Sequence, residues 1–322
     1  IMIRKLMRWF RMATFREELG KILVELGKER KDLVVITGDL GRSTGVSAFE
    51  VYPERYFNLG ISEQDIIGTA AGLASAGKIP IVSTYAMFLG GRAWEQIRNS
   101  VARDGLNVKM IGTHSGLSPS ADGGSHQCFE DIALMRTIPR ITLVLPSDVS
   151  ELRQTVRAAV NSEGPWYIRL GRGEAKTLFD ENDGFKIGKA RRISNGSDIA
   201  IVASGPLVPE AIQAEAMLQA DGIQASVIDM HTIKPPDEPA IIAIAEETGG
   251  IVTVEDHNIL GGLGGTISEI LCKHHPIPVE MIGIHDRFGE SGDLRALMEL
   301  HQLTARNIAD AAKRVIDRKK AS

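Results

Sequence analysis

Cysteine is scarce. Cys128 and Cys272 are the two in 322 residues. They stand far apart, and neither has a cysteine neighbour at ligand spacing. That excludes a disulfide framework and a cysteine-based zinc site, and it predicts a reducing, cytoplasmic setting. An excess of one charge is also lacking. Lys and Arg total 37 against 41 Asp and Glu, a formal net charge of −4. No overall basic field exists to attract nucleic acid. No apolar run is long enough to cross a bilayer, and no repeat or low-complexity tract is present. What is there is ordinary globular material, 43% hydrophobic and 24% charged. Its length suffices for two domains with separate cores.

The basic stretch is residues 1–11, Ile-Met-Ile-Arg-Lys-Leu-Met-Arg-Trp-Phe-Arg. It is amphipathic and reads either as a membrane-surface helix or as an upstream extension with Met12 as the natural start. No small-residue cleavage site follows it. We set residues 1–12 apart as an N-terminal extension.

Beyond it, apolar β-branched runs alternate with helical patterns, which predicts two consecutive parallel α/β domains. In the first, residues 13–174, strands are expected at 33–37, 79–84, 108–112, 141–145 and 167–170. Helices are expected at 14–28, 62–76, 93–103, 129–136 and 149–161. Residues 33–37, Leu-Val-Val-Ile-Thr, are apolar on both faces, as in a sheet covered by helices on both sides. Polar sequence at 175–196 reads as a linker. The second domain, 197–322, has strands at 198–204, 225–229, 250–255 and 279–283. Its helices fall at 209–221, 236–247, 263–273, 294–300 and 305–319, with a frayed charged end.

Two segments carry chemistry. Residues 112–127, Gly-Thr-His-Ser-Gly-Leu-Ser-Pro-Ser-Ala-Asp-Gly-Gly-Ser-His-Gln, place His114, Asp122 and His126 on one glycine-rich loop after an apolar strand. Two imidazoles and a carboxylate there suit recognition of several hydroxyls and a phosphate. Upstream, Ser62 is a fitting N-cap and Glu63 the first residue of a helix rich in small side chains. Gly68 and Gly72 inside that helix cost about 1 kcal/mol each relative to alanine. They predict close packing of another backbone, such as a partner subunit's helix. An acid at a helix start also serves the macrodipole alone, so Glu63 by itself does not decide function.

Five motifs in order do more: Thr37-Gly-Asp-Leu, Gly60-Ile-Ser-Glu-Gln, Ser83-Thr-Tyr-Ala-Met-Phe, Asp122-Gly-Gly-Ser-His-Gln, and Val254-Glu-Asp-His followed by Gly261-Gly-Leu-Gly-Gly. Together they make the chain resemble the transketolase family over about 13–315. The likeness is to the C-terminal subunit of a split transketolase. The resemblance implies a thiamine-diphosphate pyrimidine-binding domain followed by a transketolase C-terminal domain. It implies transfer of a two-carbon ketol unit from a ketose phosphate to an aldose phosphate. By position, Glu63 shares a proton with N1′ of the cofactor's aminopyrimidine, aided by an apolar cleft. Tyr85 and Phe88 stack on the ring. A third aromatic is missing where Gly90-Gly91-Arg92 stands. Asp39 lies near the cofactor or caps its own turn. Asp122 reads a substrate hydroxyl. His126, at a helix start where the dipole favours a neutral imidazole, acts near the reacting carbon. Arg16, Ser43, His114 and Arg172 match phosphate-binding positions, with Arg169 as the competitor to Arg172.

The diphosphate-holding pattern, Gly-Asp-Gly followed by a distant asparagine, is absent: Leu40 follows Gly38-Asp39. The resemblance therefore implies an N-terminal partner subunit that holds the diphosphate through Mg2+ or Ca2+. It further implies an α2β2 assembly self-associating through the pyrimidine-binding domain, and an isolated chain without activity. Alternatives stay open: a 1-deoxyxylulose-5-phosphate synthase-like half, a 2-oxoacid dehydrogenase β subunit, or a non-catalytic assembly module. In the second domain, Gly261-Gly-Leu-Gly-Gly265 does not complete a nucleotide loop. Glu255 and His257 are expected at the domain interface, and His274 and His275 at the surface. His231 and Lys234 lie in an extended or turn segment and receive no role.

Overall fold

The computed structural model describes residues 13–175, 177–180 and 184–321. The basic extension, residues 1–12, lies outside them. Ala13–Thr14 pairs with Glu174–Ala175 in a short antiparallel ribbon. The helix Phe15–Glu29 follows, started by Thr14, whose Oγ1 accepts the Glu17 N–H at 3.1 Å. Leu19, Ile22, Leu23 and Leu26 recur at helical spacing and are fully buried. Each such burial contributes about 1.5–3 kcal/mol. That face packs with Leu152 and Val156 of the helix Val149–Val160 on one side of the first sheet. Asp148 starts the latter helix by accepting the Glu151 N–H at 2.8 Å.

The first sheet runs Thr232–Lys234, Thr142–Val144, Trp166–Arg169, Lys109–Thr113, Ile79–Tyr85, Leu33–Thr37, Tyr56–Asn58. Its pairs are parallel except at the first edge, where Thr232–Lys234 runs antiparallel to Thr142–Val144. The second sheet runs Val279–Ile284, Ile251–Asn258, Ile199–Ala203, Ala225–Asp229, Arg191–Arg192, antiparallel only at the last pair. The expected α/β architecture stands, with the central strands of each sheet covered by helices.

Lys234 ends the strand Thr232–Lys234, which crosses from the second domain into the first sheet, and His231 stands just before it. Lys234 Nζ donates to Arg136 O at 2.8 Å and Ile138 O at 2.6 Å. The apolar core is correspondingly continuous: Ile66, Ile97 and Met135 of the first domain join Val202, Ile244 and Ile267 of the second. At the end of the chain, Ala305–Ala321 is one helix rather than a frayed tail. Lys319 Nζ ties it down, donating to Asp198 O at 2.6 Å and to Thr248 O.

Two local departures stand out. The expected helix at 93–103 is broken into a three-residue α-turn, Trp94–Gln96, between π-helical segments Phe88–Arg92 and Ile97–Ala102. Such widened turns often mark functional sites. The helix expected from 129 begins at Asp131, so it does not reach back toward His126.

Candidate active site

The carboxyl ends of adjacent parallel strands deliver the side chains, as expected for a ligand crevice in such sheets. Leu33–Thr37 leads to Asp39, Ile79–Tyr85 to Tyr85 and Phe88, Lys109–Thr113 to His114, and Trp166–Arg169 to Arg172. Glu63 opens the helix Glu63–Ser75. Ser62 stands at the N-cap position, but its hydroxyl donates to Leu59 O at 2.9 Å and makes no cap bond.

One cavity of about 470 Å³ is lined by Gly38, Asp39, Glu63, Tyr85, Phe88, Arg92, Asp122 and His126, among others. The Glu63 carboxyl group is buried at 2% exposure. Its Oε1 has no hydrogen-bond partner among the described residues. An orphaned carboxylate oxygen is costly to bury, and here it lies beside a hollow. Tyr85 and Phe88 face each other with centroids 5.8 Å apart and planes 19° from parallel. His126 meets Phe88 edge-on at 5.3 Å. Its Nδ1 contacts Ser125 Oγ at 2.9 Å. It lies in a turn closed by its own N–H to Gly123 O, at 3.0 Å. No helix begins there, so the expected dipole effect on its imidazole falls away.

The place of the missing third aromatic is taken by a cation. Arg92 Cζ lies 4.3 Å above the Phe88 ring, and its Nη1 donates to Glu63 Oε2 at 3.0 Å. The cleft around Glu63 is therefore less apolar than expected, because a half-exposed guanidinium supplies a countercharge. The cue was spacing: Arg92 follows Phe88 by four residues, so the two share a helical face.

A second cavity, about 300 Å³, is lined by Arg16, Ser43, Thr44, His114 and Arg172, and shares Tyr85 with the first. The four expected phosphate-binding residues are thus together. His114 sits at φ 54°, which turns the chain out of its strand and lays the imidazole on Tyr85 at 3.8 Å. Burial, with Arg172 nearby, pushes its pKa down to about 4. It is neutral near pH 7, so fixed positive charge in this cavity comes from Arg16 and Arg172. Arg172 Nη1 bonds Asp122 Oδ2 at 3.2 Å. Arg169 faces the opposite way. It is buried against Asp131 at 3.0 Å, donates to Cys128 O and, across the domain interface, donates to Asp256 O. Asp39, at φ 61°, lines the Glu63 cavity while its N–H bonds Asn58 Oδ1 at 2.9 Å.

Elsewhere the expectations divide. Apart from the chain neighbours and the helix's own backbone, no described atom lies within 4 Å of a Cβ placed at Gly68 or Gly72, so that exposed helix face is open in this chain. The glycine run before Leu263–His274 is filled from within: Glu255 accepts the Leu263 and Gly264 N–H groups at 2.7 and 2.8 Å. That carboxylate occupies the place of an anion at the helix start. His257 Nε2 bridges to the Ala133 N–H at 3.4 Å. Among the described residues, no group of three or more His, Cys, Asp or Glu is arranged to hold a metal. No described helix is long and apolar enough to cross a membrane.

Fold and site together define a two-domain α/β protein with its ligand crevice at the strand ends of the first domain. Family models carry the assignment further. Residues 11–177 match the transketolase pyrimidine binding domain and 188–308 the transketolase C-terminal domain. A putative transketolase C-terminal section from Methanocaldococcus jannaschii is 42% identical over 95% of this chain and 96% of that one. A 6-deoxy-6-sulfo-D-fructose transketolase subunit from Clostridium sp. (strain MSTE9) is 39% identical over 94% and 95%. A solved split gene transketolase, described as an inactive beta4 tetramer, superposes with a TM-score of 0.89 at 44% identity, covering 95% of this chain and 99% of that one. The chain belongs to the transketolase family and is similar to the C-terminal subunit of split transketolases. The family implies thiamine diphosphate. The orphaned Glu63 Oε1 beside two near-parallel aromatic rings fits an aminopyrimidine.

Proposed function

We propose that this chain is the cofactor-activating half of a two-subunit enzyme that moves a two-carbon ketol unit from a ketose phosphate to an aldose phosphate. The carrying observation is Glu63, buried with its Oε1 unpartnered, in the lining of the cavity walled by Tyr85 and Phe88. When bound, thiamine diphosphate supplies the carbon nucleophile and electron sink for breaking a C–C bond.

Glu63 would share a proton with the N1′ ring nitrogen through that oxygen, with Arg92 as the countercharge at Oε2. Tyr85 and Phe88 hold the ring by stacking, with Asp39 at the cavity edge. Asp122 accepts from a sugar hydroxyl. The Ser125 contact at Nδ1 leaves His126 Nε2 as the nitrogen for hydroxyls near the reacting carbon. Arg16 and Arg172 bind the distal phosphate by charge-assisted bonds. Ser43 and neutral His114 add hydrogen bonds to it. The diphosphate and its Mg2+ or Ca2+ belong to an N-terminal partner subunit, since Leu40 stands where the holding motif requires glycine. The open Gly68–Gly72 face suits a second copy of this domain in an α2β2 particle. We assign the reaction to pentose phosphate metabolism in the cytoplasm.

The test is reconstitution with the N-terminal subunit, thiamine diphosphate and magnesium. Xylulose 5-phosphate, 6-deoxy-6-sulfo-D-fructose and pyruvate are offered as separate donors. Ketol transfer from xylulose 5-phosphate by the mixture alone is expected. Turnover by this chain without its partner, or pyruvate as the sole donor, would refute the reading.

A further inference from the structure

The second domain has no chemistry of its own in the sequence, yet it packs against the loop that carries Asp122 and His126. Leu117 and Phe129 flank that loop. They are 1% and 3% exposed and pack in the second domain's apolar core with Ile282, Ile284 and Leu297. The Leu117 N–H donates to both oxygens of Asp256, at 3.0 and 3.2 Å. Further along, Gln127 Nε2 donates to Glu290 O at 3.0 Å, and the Gly292 N–H to Ser120 O at 3.4 Å.

The approach between loop and turn is too close for side chains. A Cβ at Gly124 would fall 2.5 Å from Gly289 O, and one at Gly289 would fall 1.7 Å from Gln127 Oε1. The turn is itself braced. Arg287 Nε donates to His301 Nδ1 at 3.2 Å, which leaves the Nε2 proton for Glu290 Oε2 at 2.9 Å. From the first domain, the loop receives the Gly116–Cys128 bridge and the Arg172 N–H on Ser118 Oγ at 2.9 Å.

We infer that the second domain is the positioning frame of the substrate loop, and that Gln127 with the turn at 289–292 sets where Asp122 and His126 stand. This rests on the reading in which those two side chains contact the sugar. An irregular glycine-rich loop opens easily unless its backbone is bonded and its apolar ends are buried. A misplacement of 1 Å at a reacting group costs on the order of 100-fold. The first domain closes the base of the loop and touches the Asp122 and His126 side chains through Arg172 and Phe88, whereas the second domain holds the loop at Leu117, Ser120 and Gln127.

Gly289→Ala tests this in the reconstituted two-subunit enzyme. KM for the ketose phosphate is expected to rise about tenfold, and amide exchange across residues 117–127 to quicken about tenfold. The Kd for thiamine diphosphate should stay within about twofold, because Glu63, Tyr85 and Phe88 stand on other elements. Gln127→Leu keeps the volume, loses the bond to Glu290 O, and should behave alike; it decides the matter if Gly289→Ala does not fold. Unchanged exchange in the loop overturns the inference. So does faster exchange with unchanged KM, or an equal loss of cofactor and substrate binding. If wild-type enzyme transfers no ketol unit, the proposed reaction fails, while the exchange measurement still decides whether the frame exists.

Discussion

Replacing Glu63 by leucine should stabilise the isolated chain and disable the assembled enzyme. The carboxyl group is 2% exposed, and its Oε1 has no partner among the described residues. Removing an orphaned buried acceptor returns about 1–3 kcal/mol. The Oε2 ion pair joins a half-exposed Arg92 at 3.0 Å, and a pair of that kind contributes about 0–1 kcal/mol. Leucine has a similar volume and adds apolar contact near Ile66. The net gain is about 1–2 kcal/mol. In urea, at about 1–3 kcal/mol per molar, this is a midpoint shift on the order of 0.5–1 M upward. Protein concentration must be held constant, because self-association alters apparent stability. In the reconstituted enzyme the same substitution should lower kcat by about 10²–10⁴, the usual contribution of a positioned proton-transfer group. Opposite signs are the point: a functional side chain held at a cost to the fold. A loss of stability greater than about 1 kcal/mol would show that Glu63 is a structural member and refute the reasoning.

Two further outcomes follow from buried charge. Asp131→Ala leaves Arg169 unpaired at 1% exposure and deprives the Tyr167 hydroxyl of its acceptor at 3.0 Å. About 3–5 kcal/mol of stability should be lost, and the double change Asp131→Leu with Arg169→Met should recover most of it in urea unfolding. A single variant within about 1 kcal/mol of wild type contradicts this account. His231 is held down to about 4, chiefly by burial and then by Arg191, against about 6.5 in the unfolded chain. Its contribution is therefore present above pH 6.5 and is lost as pH falls toward 4. His231→Asn should remove a slope of up to about 1.4 kcal/mol per pH unit in that window. Glu255 and Asp229, each raised to about 7 mainly by burial, act in the opposite sense as pH rises from about 4. The readout is thus the difference between variant and wild-type stability curves, and parallel curves would count against it.

Much of the site was readable because its signals are local. Apolar β-branched runs marked the strands within a few residues, and the residues following strand ends are where parallel sheets bind ligands. Glu63, Tyr85, Phe88, His114 and Arg172 all stand at or beside such ends, or at a helix start. Less was readable where two local tendencies compete. Residues 129–136 have helical periodicity, but Phe129 is drawn into the second domain's core, so the helix starts later and leaves His126 in a turn. Residues 93–103 are helical by pattern, yet widen into π-turns around the site.

What the sequence by itself determined is the order of strands and helices, the α/β class, and which polar residues follow strand ends. Each depends on neighbours within a few positions, where spacing and side-chain type carry the information. The tertiary structure alone decided which charges meet. Arg92 lies 29 residues from Glu63, and Asp256 lies 139 from Leu117. No periodicity reports such pairs, because they form only when packed helices and sheets bring distant backbones together and remove the water that would otherwise satisfy them.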